Sequence, residues 1–219
     1  RHKRYTSGKI LSINPYLFIN QFDNLNGYME SRALKAGLDI QFMNRSMVFA
    51  GLTQTDEVIK DSFDLYGAEV PVGEYKFNNL SIYFRGDRTK NISFNGNASV
   101  GQYFNGTRNS YGVSATIKRG YRFSVNMGLN KNLVKFPGIS VNADIYTLKI
   151  KYNHSVKLFN TLYFQYNGAE DKLVTNFRMN LIHAPLSDLF LVYSNISDLS
   201  SDEKATGMIA LKFTKLFSL

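Results

Sequence analysis

A chain of 219 residues with 44% hydrophobic and 14% aromatic content is long enough for one large domain, and 26 basic against 17 acidic residues leave a formal charge of +9. The absence of cysteine excludes a disulfide framework, a thiolate metal site and a cysteine nucleophile. No apolar run approaches the roughly 18 residues that a membrane-spanning helix requires. The opening RHKRYTSGK carries neither an initiator Met nor a signal peptide, which reads as a mature product or a fragment.

The predicted elements are all strands. Leu34, Ala36, Leu38, Ile40 and Phe42 alternate with Lys35, Gly37, Asp39 and Gln41. Leu80, Ile82 and Phe84 alternate with Ser81, Tyr83 and Arg85, and Ile92, Phe94, Gly96, Ala98 and Val100 with Ser93, Asn95, Asn97 and Ser99. Tyr111, Val113, Ala115 and Ile117 alternate with Gly112, Ser114, Thr116 and Lys118, and RFSVNMGLN at Arg122–Asn130 repeats the pattern without error. Tyr146, Leu148, Ile150 and Tyr152 follow, then Leu162, Phe164 and Tyr166, then Phe177, Met179 and Leu181, each set interleaved with polar residues. The chain closes on Leu211, Phe213, Phe217 and Leu219, interrupted by Lys215. Period-two alternation gives a strand one oily and one wet face. It predicts about twelve strands in an all-β, antiparallel architecture.

Such strands build either a soluble sandwich with apolar faces inward or a transmembrane barrel with apolar faces outward. Three features favour the barrel. The segments run about 10–14 residues, longer than the usual 5–6 of globular strands and suited to a tilted bilayer crossing. The polar faces are uniformly Ser, Asn, Gly, Lys and Arg. The connections alternate in length: long near 22–27, 54–73, 105–109, 131–141, 168–172 and 195–205, and tight near 43–46, 86–90, 118–120, 153–155 and 184–187. Long loops on one side and short turns on the other is the outer-membrane arrangement. With the C-terminus periplasmic and the long loops extracellular, Tyr121, Tyr152 and Phe217 fall at one rim and Tyr111, Tyr146 and Tyr166 at the other, an expected aromatic girdle. KFTKLFSL resembles the terminal-strand signal for barrel assembly, with Leu219 where Phe is commoner.

LYFQYN (Leu162–Asn167), TNFRMNLIHAP (Thr175–Pro185) and SDLFLVYSN (Ser187–Asn195), with GLNKNLVKFPG (Gly128–Gly138) upstream, resemble the C-terminal barrel region of a family of Bacteroidota outer-membrane proteins. Members carry an N-terminal family-nine carbohydrate-binding-like domain before a barrel of unknown function. The resemblance runs from about Gly27 and is strongest over Leu162–Asn195. It implies that the 219 residues form the C-terminal portion of a longer protein and of a larger barrel, without the carbohydrate-binding domain. The family's PGSD-like turn reads PLSD here, with Leu186 in place of glycine.

Chemistry is sparse. His2 lies in the basic start and His154 in a turn, while His183 precedes Ser187 and Asp188 with no sign of an oxyanion hole. No metalloprotease, P-loop or dinucleotide fingerprint occurs, and neither a catalytic residue nor a cofactor is expected. The acidic pairs Asp56–Glu57, Glu170–Asp171 and Asp202–Glu203 read as solvated loop residues. Lys35, Arg85, Lys118, Lys149, Lys151, Arg178 and Lys212 are expected on lumen faces, either as a cationic pore lining or paired with Asp39 or a plug. Their alternation with lipid-facing residues disfavours nucleic acid. The expected function is a non-catalytic outer-membrane barrel that anchors, or forms a conduit for, a glycan-related envelope function, in contact with lipid and lipopolysaccharide. The alternatives are a scaffold docking another outer-membrane protein through the small residues Gly96, Ala98 and Ala115, or a membrane anchor for a glycan hydrolase outside this sequence.

Overall fold

The computed structural model describes residues 4–5, 8–201 and 205–216. His2, Asp202–Glu203, Phe217 and Leu219, and with them part of the proposed terminal signal, lie outside the described residues. Among the described residues there is no helix. The strands are β1 (Arg4–Tyr5), β2 (Ile10–Asp23), β3 (Met29–Phe42), β4 (Met47–Ile59), β5 (Phe63–Leu65), β6 (Ala68–Val70), β7 (Gly73–Arg85) and β8 (Ile92–Tyr103). They continue as β9 (Gly106–Arg119), β10 (Phe123–Phe136), β11 (Ile139–Asn142), β12 (Ile145–Asn153), β13 (Leu158–Asn167), β14 (Lys172–Ala184), β15 (Ser187–Asp198) and β16 (Thr206–Thr214).

Twelve of these are long, in agreement with the alternation. They pair in the order β1-β2-β3-β4-β7-β8-β9-β10-β12-β13-β14-β15-β16, each beside its sequence neighbour, while β11 folds back on β10 and β5 pairs β6 alone. Among the described residues the ladder is an open path, with β1 and β16 at its ends. Two compact units divide the chain: residues 1–87, 94–113 and 131–143 form the first, and 88–93, 114–130 and 144–219 the second.

In the first unit, the apolar faces of the long strands are exposed and part of the opposite, polar face is buried. Leu17, Ile19, Leu38, Leu52, Leu80, Ile82, Phe84 and Phe94 are exposed, whereas Ser12 and Asn14 are 0% and 1% exposed. Register holds the two sets on opposite faces: Leu52 sits between Ala36 and Leu80, while Gly51 sits between Gly37 and Ser81. Tyr16 lies across this glycine pair and stacks on Phe49 at 5.4 Å between centroids.

Further along the same strands the polarity exchanges faces. On β7, the face bearing Leu80, Ile82 and Phe84 continues with Asn78, Lys76 and Glu74. The other face passes from Tyr83, Ser81 and Asn79 to Phe77, which is 8% exposed. Phe77 packs beside Phe104 (5.5 Å) and Tyr103 (6.2 Å), and Tyr103 reaches Phe136 (6.2 Å). The β5–β6 hairpin contributes Ala68 to this small core, with Val134, Leu65 and Ile139. Its turn uses left-handed residues, Tyr66 (φ 58°) and Gly67 (φ 82°), as tight hairpins require, and the Asp64 carboxylate accepts the Gly67 N–H at 2.9 Å. Ala68, Val70, Phe77, Val134 and Phe136 are the buried hydrophobic residues among those described.

This exchange explains where the expected loop boundaries shift. Residues 54–59 and 131–136 were expected in connections but continue β4 and β10, because the apolar residues change face and the alternation signal cancels. Asp56 and Glu57 therefore stand on a strand instead of in a loop. The expected long loop at 105–109 is a two-residue turn, Phe104–Asn105, and β9 starts at Gly106. Of the connections expected to be long, 60–72, 137–144 and 199–205 are, whereas 24–28, 104–105 and 168–171 are shorter than the expected tight turn at 86–91, so the parity holds only in part.

In the second unit, Tyr152 pairs with Phe123, Ile150 with Val125, Leu148 with Met127 and Tyr146 with Leu129, all on one face. The other face carries Lys151 opposite Ser124 and Lys149 opposite Asn126. The chain turns into β15 at Pro185–Leu186, with Leu186 left-handed at φ 54°.

Candidate functional site

The predicted basic residues divide into two groups. Lys149, Lys151 and Arg178 come together, and the others do not. Strands β12, β13 and β14 lie side by side, and their register places three rows on the polar face. The first row is Lys149, Tyr163 and Asn176; the second is Lys151, Thr161 and Arg178; the third is Asn153, Phe159 and Asn180. These nine residues line a cavity of about 840 Å³. That volume suits a small ligand.

No acidic side chain lines the cavity. Among the described residues no carboxylate is within ion-pair distance of Lys149, Lys151 or Arg178. The Arg178 guanidinium lies 4.9 Å from the Phe190 ring centroid, a cation–π contact from the neighbouring strand. The Tyr163 hydroxyl donates to Gln165 Oε1 at 2.6 Å, which holds its ring in place. Asn153 Nδ2 donates to the Tyr121 carbonyl at 2.6 Å. Asn180 is 8% exposed, and its Oδ1 has no hydrogen-bond partner. A buried carbonyl oxygen without a donor is costly and therefore rare.

The other basic residues belong elsewhere. Lys35 faces Phe18 and Thr53 in the first unit. Arg85 Nη2 contacts Met47 Sδ at 3.1 Å. Lys118 donates from Nζ to the Arg88 carbonyl at 2.9 Å, which ties down the 86–91 connection. Lys212 stands opposite Phe190 on the exposed strand β16.

Of the expected girdle, Tyr111, Tyr121, Tyr146 and Tyr152 are exposed and Tyr166 is half-buried, with Phe217 outside the described residues. Tyr146 and Tyr166 meet at 6.0 Å between centroids, and the Tyr166 hydroxyl donates to Asp171 at 2.7 Å. Tyr146 and Tyr152 bracket Leu148 and Ile150 on one face of β12, about 20 Å apart along the strand at ~3.3 Å per residue. Gly96 and Ala98 occupy the apolar face of β8, opposite Phe84 and Ile82, and Ala115 that of β9 beside Val113 and Ile117.

The Ser187/His183/Asp188 trio forms no catalytic arrangement. The His183 ring stacks on Phe213 at 5.1 Å. Ser187 Oγ accepts the Leu216 N–H at 2.9 Å and lies 3.3 Å from the Pro185 carbonyl, so it serves the turn. Among the described residues no group of three metal-ligating side chains occurs.

Asn153, Phe159, Thr161, Tyr163, Asn176 and Asn180 are the site residues that the sequence alone did not single out. Their strand parity was readable, but joining them to Lys149 and Arg178 needed the cross-strand register. No family model, no curated protein and no solved structure matches the chain.

Proposed function

We propose that this chain forms lipid-embedded wall of an outer-membrane β-barrel and serves as a non-catalytic conduit or anchor with a cationic interior face. The observation that carries the reading is the inverted burial: polar Ser12, Asn14 and Asn180 are buried while Leu17, Ile19, Leu52, Leu80 and Phe94 are exposed. At about 25 cal/mol per Å² of apolar surface, that arrangement is unfavourable in water and favourable in lipid. Among the described residues only five hydrophobic side chains are buried, too small a core for a soluble protein of this length. The aromatic residues that bracket Leu148 and Ile150 support the same reading, as do charged residues beyond Leu80.

On this reading the connections 60–72, 137–144 and 199–205 are extracellular and the C-terminus is periplasmic. The resemblance from about Gly27 onward, strongest over Leu162–Asn195, supports a glycan-related envelope function in Bacteroidota. The deciding experiment is refolding into phosphatidylcholine vesicles, followed by flotation and by electrophoresis with and without boiling. Flotation together with a boiling-dependent mobility shift is expected. A chain that stays with the aqueous fraction while folded would overturn the proposal. Planar-bilayer conductance then separates conduit from anchor: anion-selective steps weakened by Lys149→Glu, Lys151→Glu and Arg178→Glu define a conduit, and silence from inserted protein defines an anchor.

A further inference from the structure

We infer that the polar face of β12–β14 binds a small oxyanion carried on a hydroxylated body, of the sugar-phosphate or sugar-acid class. The inference rests on the preceding reading only in taking this face to be the wet one.

The charge geometry gives the anionic half. Lys149 and Lys151 are two residues apart on one strand face, about 6.7 Å, and Lys151 and Arg178 flank Thr161 in one cross-strand row, about 10 Å apart at ~4.8 Å per strand. Two cations thus flank the Thr161 hydroxyl, Lys149 stands one row away on the strand of Lys151, and no carboxylate among the described residues pairs with the three. The Arg178 contact with Phe190 steadies the guanidinium, and no hydrogen bond among the described residues occupies its N–H donors. An oxyanion over Thr161 would meet positive charge from both neighbouring strands, the bidentate option coming from Arg178.

The hydroxylated half follows from what the cations cannot satisfy. Asn180 is one of the residues lining the cavity, and its Oδ1 is buried and lacks a donor. A carboxylate has no O–H to offer it and a bare phosphate at most one or two, whereas a sugar presents several alcohol O–H donors. Phe159, next to Asn180 in the third row, and the held ring of Tyr163 in the first present apolar surface to the C–H side of a sugar ring. The volume of about 840 Å³ leaves room for a monosaccharide or disaccharide beside the anion.

The test uses the full chain refolded in detergent, with calorimetric titration at low ionic strength. The probes are glucose 6-phosphate, glucuronate, glucose and inorganic phosphate. Glucose 6-phosphate or glucuronate should bind at least tenfold more tightly than glucose or phosphate, and the better of the two identifies phosphate or carboxylate as the anion. Lys151→Gln and Arg178→Gln should each weaken that binding at least fivefold, while Lys60→Gln, in the 60–72 connection, leaves it unchanged. Boiling-dependent mobility establishes that each variant is folded. Equal binding of inorganic phosphate or glucose, indifference to both site variants, or no binding by any probe would overturn the inference. Flotation of the same preparation keeps the two proposals apart. A chain that binds without floating retains the site and loses the membrane reading; one that floats without binding loses the site alone.

Discussion

Leu80 and Lys76 share one face of β7, four residues or about 13 Å apart, and both are solvent-accessible. One face of one strand thus presents an apolar and then a charged side chain. If Leu80 meets lipid and Lys76 meets water, substitutions at the two levels must have unequal consequences. Ile82→Arg, deeper on the apolar face, should destabilise the vesicle-embedded protein by about 2–4 kcal/mol if it lies near the bilayer midplane. Lys76→Leu should change stability by less than about 0.5 kcal/mol, as a surface substitution does. Urea unfolding followed by tyrosine fluorescence measures both, since the chain has no tryptophan. A harmless Ile82→Arg would mean that this face does not lie in lipid.

Two glycines on polar and apolar faces respond differently to the same methyl group. A Cβ on Gly51 would stand 2.7 Å from the Tyr16 hydroxyl and 3.2 Å from the Ala36 carbonyl oxygen. On Gly96 its nearest neighbour would be the Gly112 carbonyl oxygen at 3.7 Å, an ordinary contact. Gly51→Ala should therefore cost about 1–3 kcal/mol through overpacking, and Gly96→Ala almost nothing. Adding Tyr16→Ala to Gly51→Ala should recover part of the loss, and a double-mutant cycle on the unfolding midpoints reads the coupling. Additive effects would dissociate Tyr16 from the glycine.

The period-two pattern made the strands legible because each face keeps a single partner over the length of the apolar band, as at Tyr146–Tyr152 and Phe123–Leu129. It failed where Phe77, Val134 and Phe136 turn to the opposite face, since there the polar residues take the positions that had been apolar. Of the candidate site, the three cations that share a cavity were readable as polar-face residues, but so were Lys35, Arg85 and Lys118. Register between strands separates the two groups, and it depends on the geometry of turns such as 154–157 and 168–171.

The Pro185–Leu186 turn stores strain at Leu186. A left-handed conformation costs an L-residue about 1–2 kcal/mol, and Leu186 adopts it at φ 54° while remaining 77% exposed. Little packing is lost on removing that side chain. Leu186→Gly should raise stability by up to about 1 kcal/mol, the greater freedom of glycine in the unfolded chain offsetting part of the gain. The urea midpoint of the refolded protein measures the change. A fall in stability would show that Leu186 contributes contacts that outweigh its backbone strain.

Beyond the apolar band, Asp56 is flanked in register by Arg32 on β3 and Lys76 on β7. Arg32 donates from both Nε (3.0 Å) and Nη2 (2.8 Å) to Asp56 Oδ2, and Lys76 Nζ lies 3.8 Å from Oδ1. The hydrogen bonds from Arg32 hold the Asp56 carboxyl below the ordinary aspartate range, against the opposing effect of desolvation and with help from Lys76. Because the folded state prefers the charged form, this stabilisation is present above the unfolded pKa of about 3.9 and is lost as pH falls through the lower folded value. Asp56→Asn should thus cost about 0.2–1 kcal/mol between pH 5 and 7, the scale of an exposed ion pair. Below about pH 4 the difference between the two proteins should shrink as the native carboxyl takes up its proton. Unfolding midpoints of both proteins from pH 3 to 7 test this, and added salt should shrink the neutral-pH difference by screening. A difference that stays constant down to pH 3, or that grows on acidification, would rule out the carboxylate's pairing with Arg32 as its source.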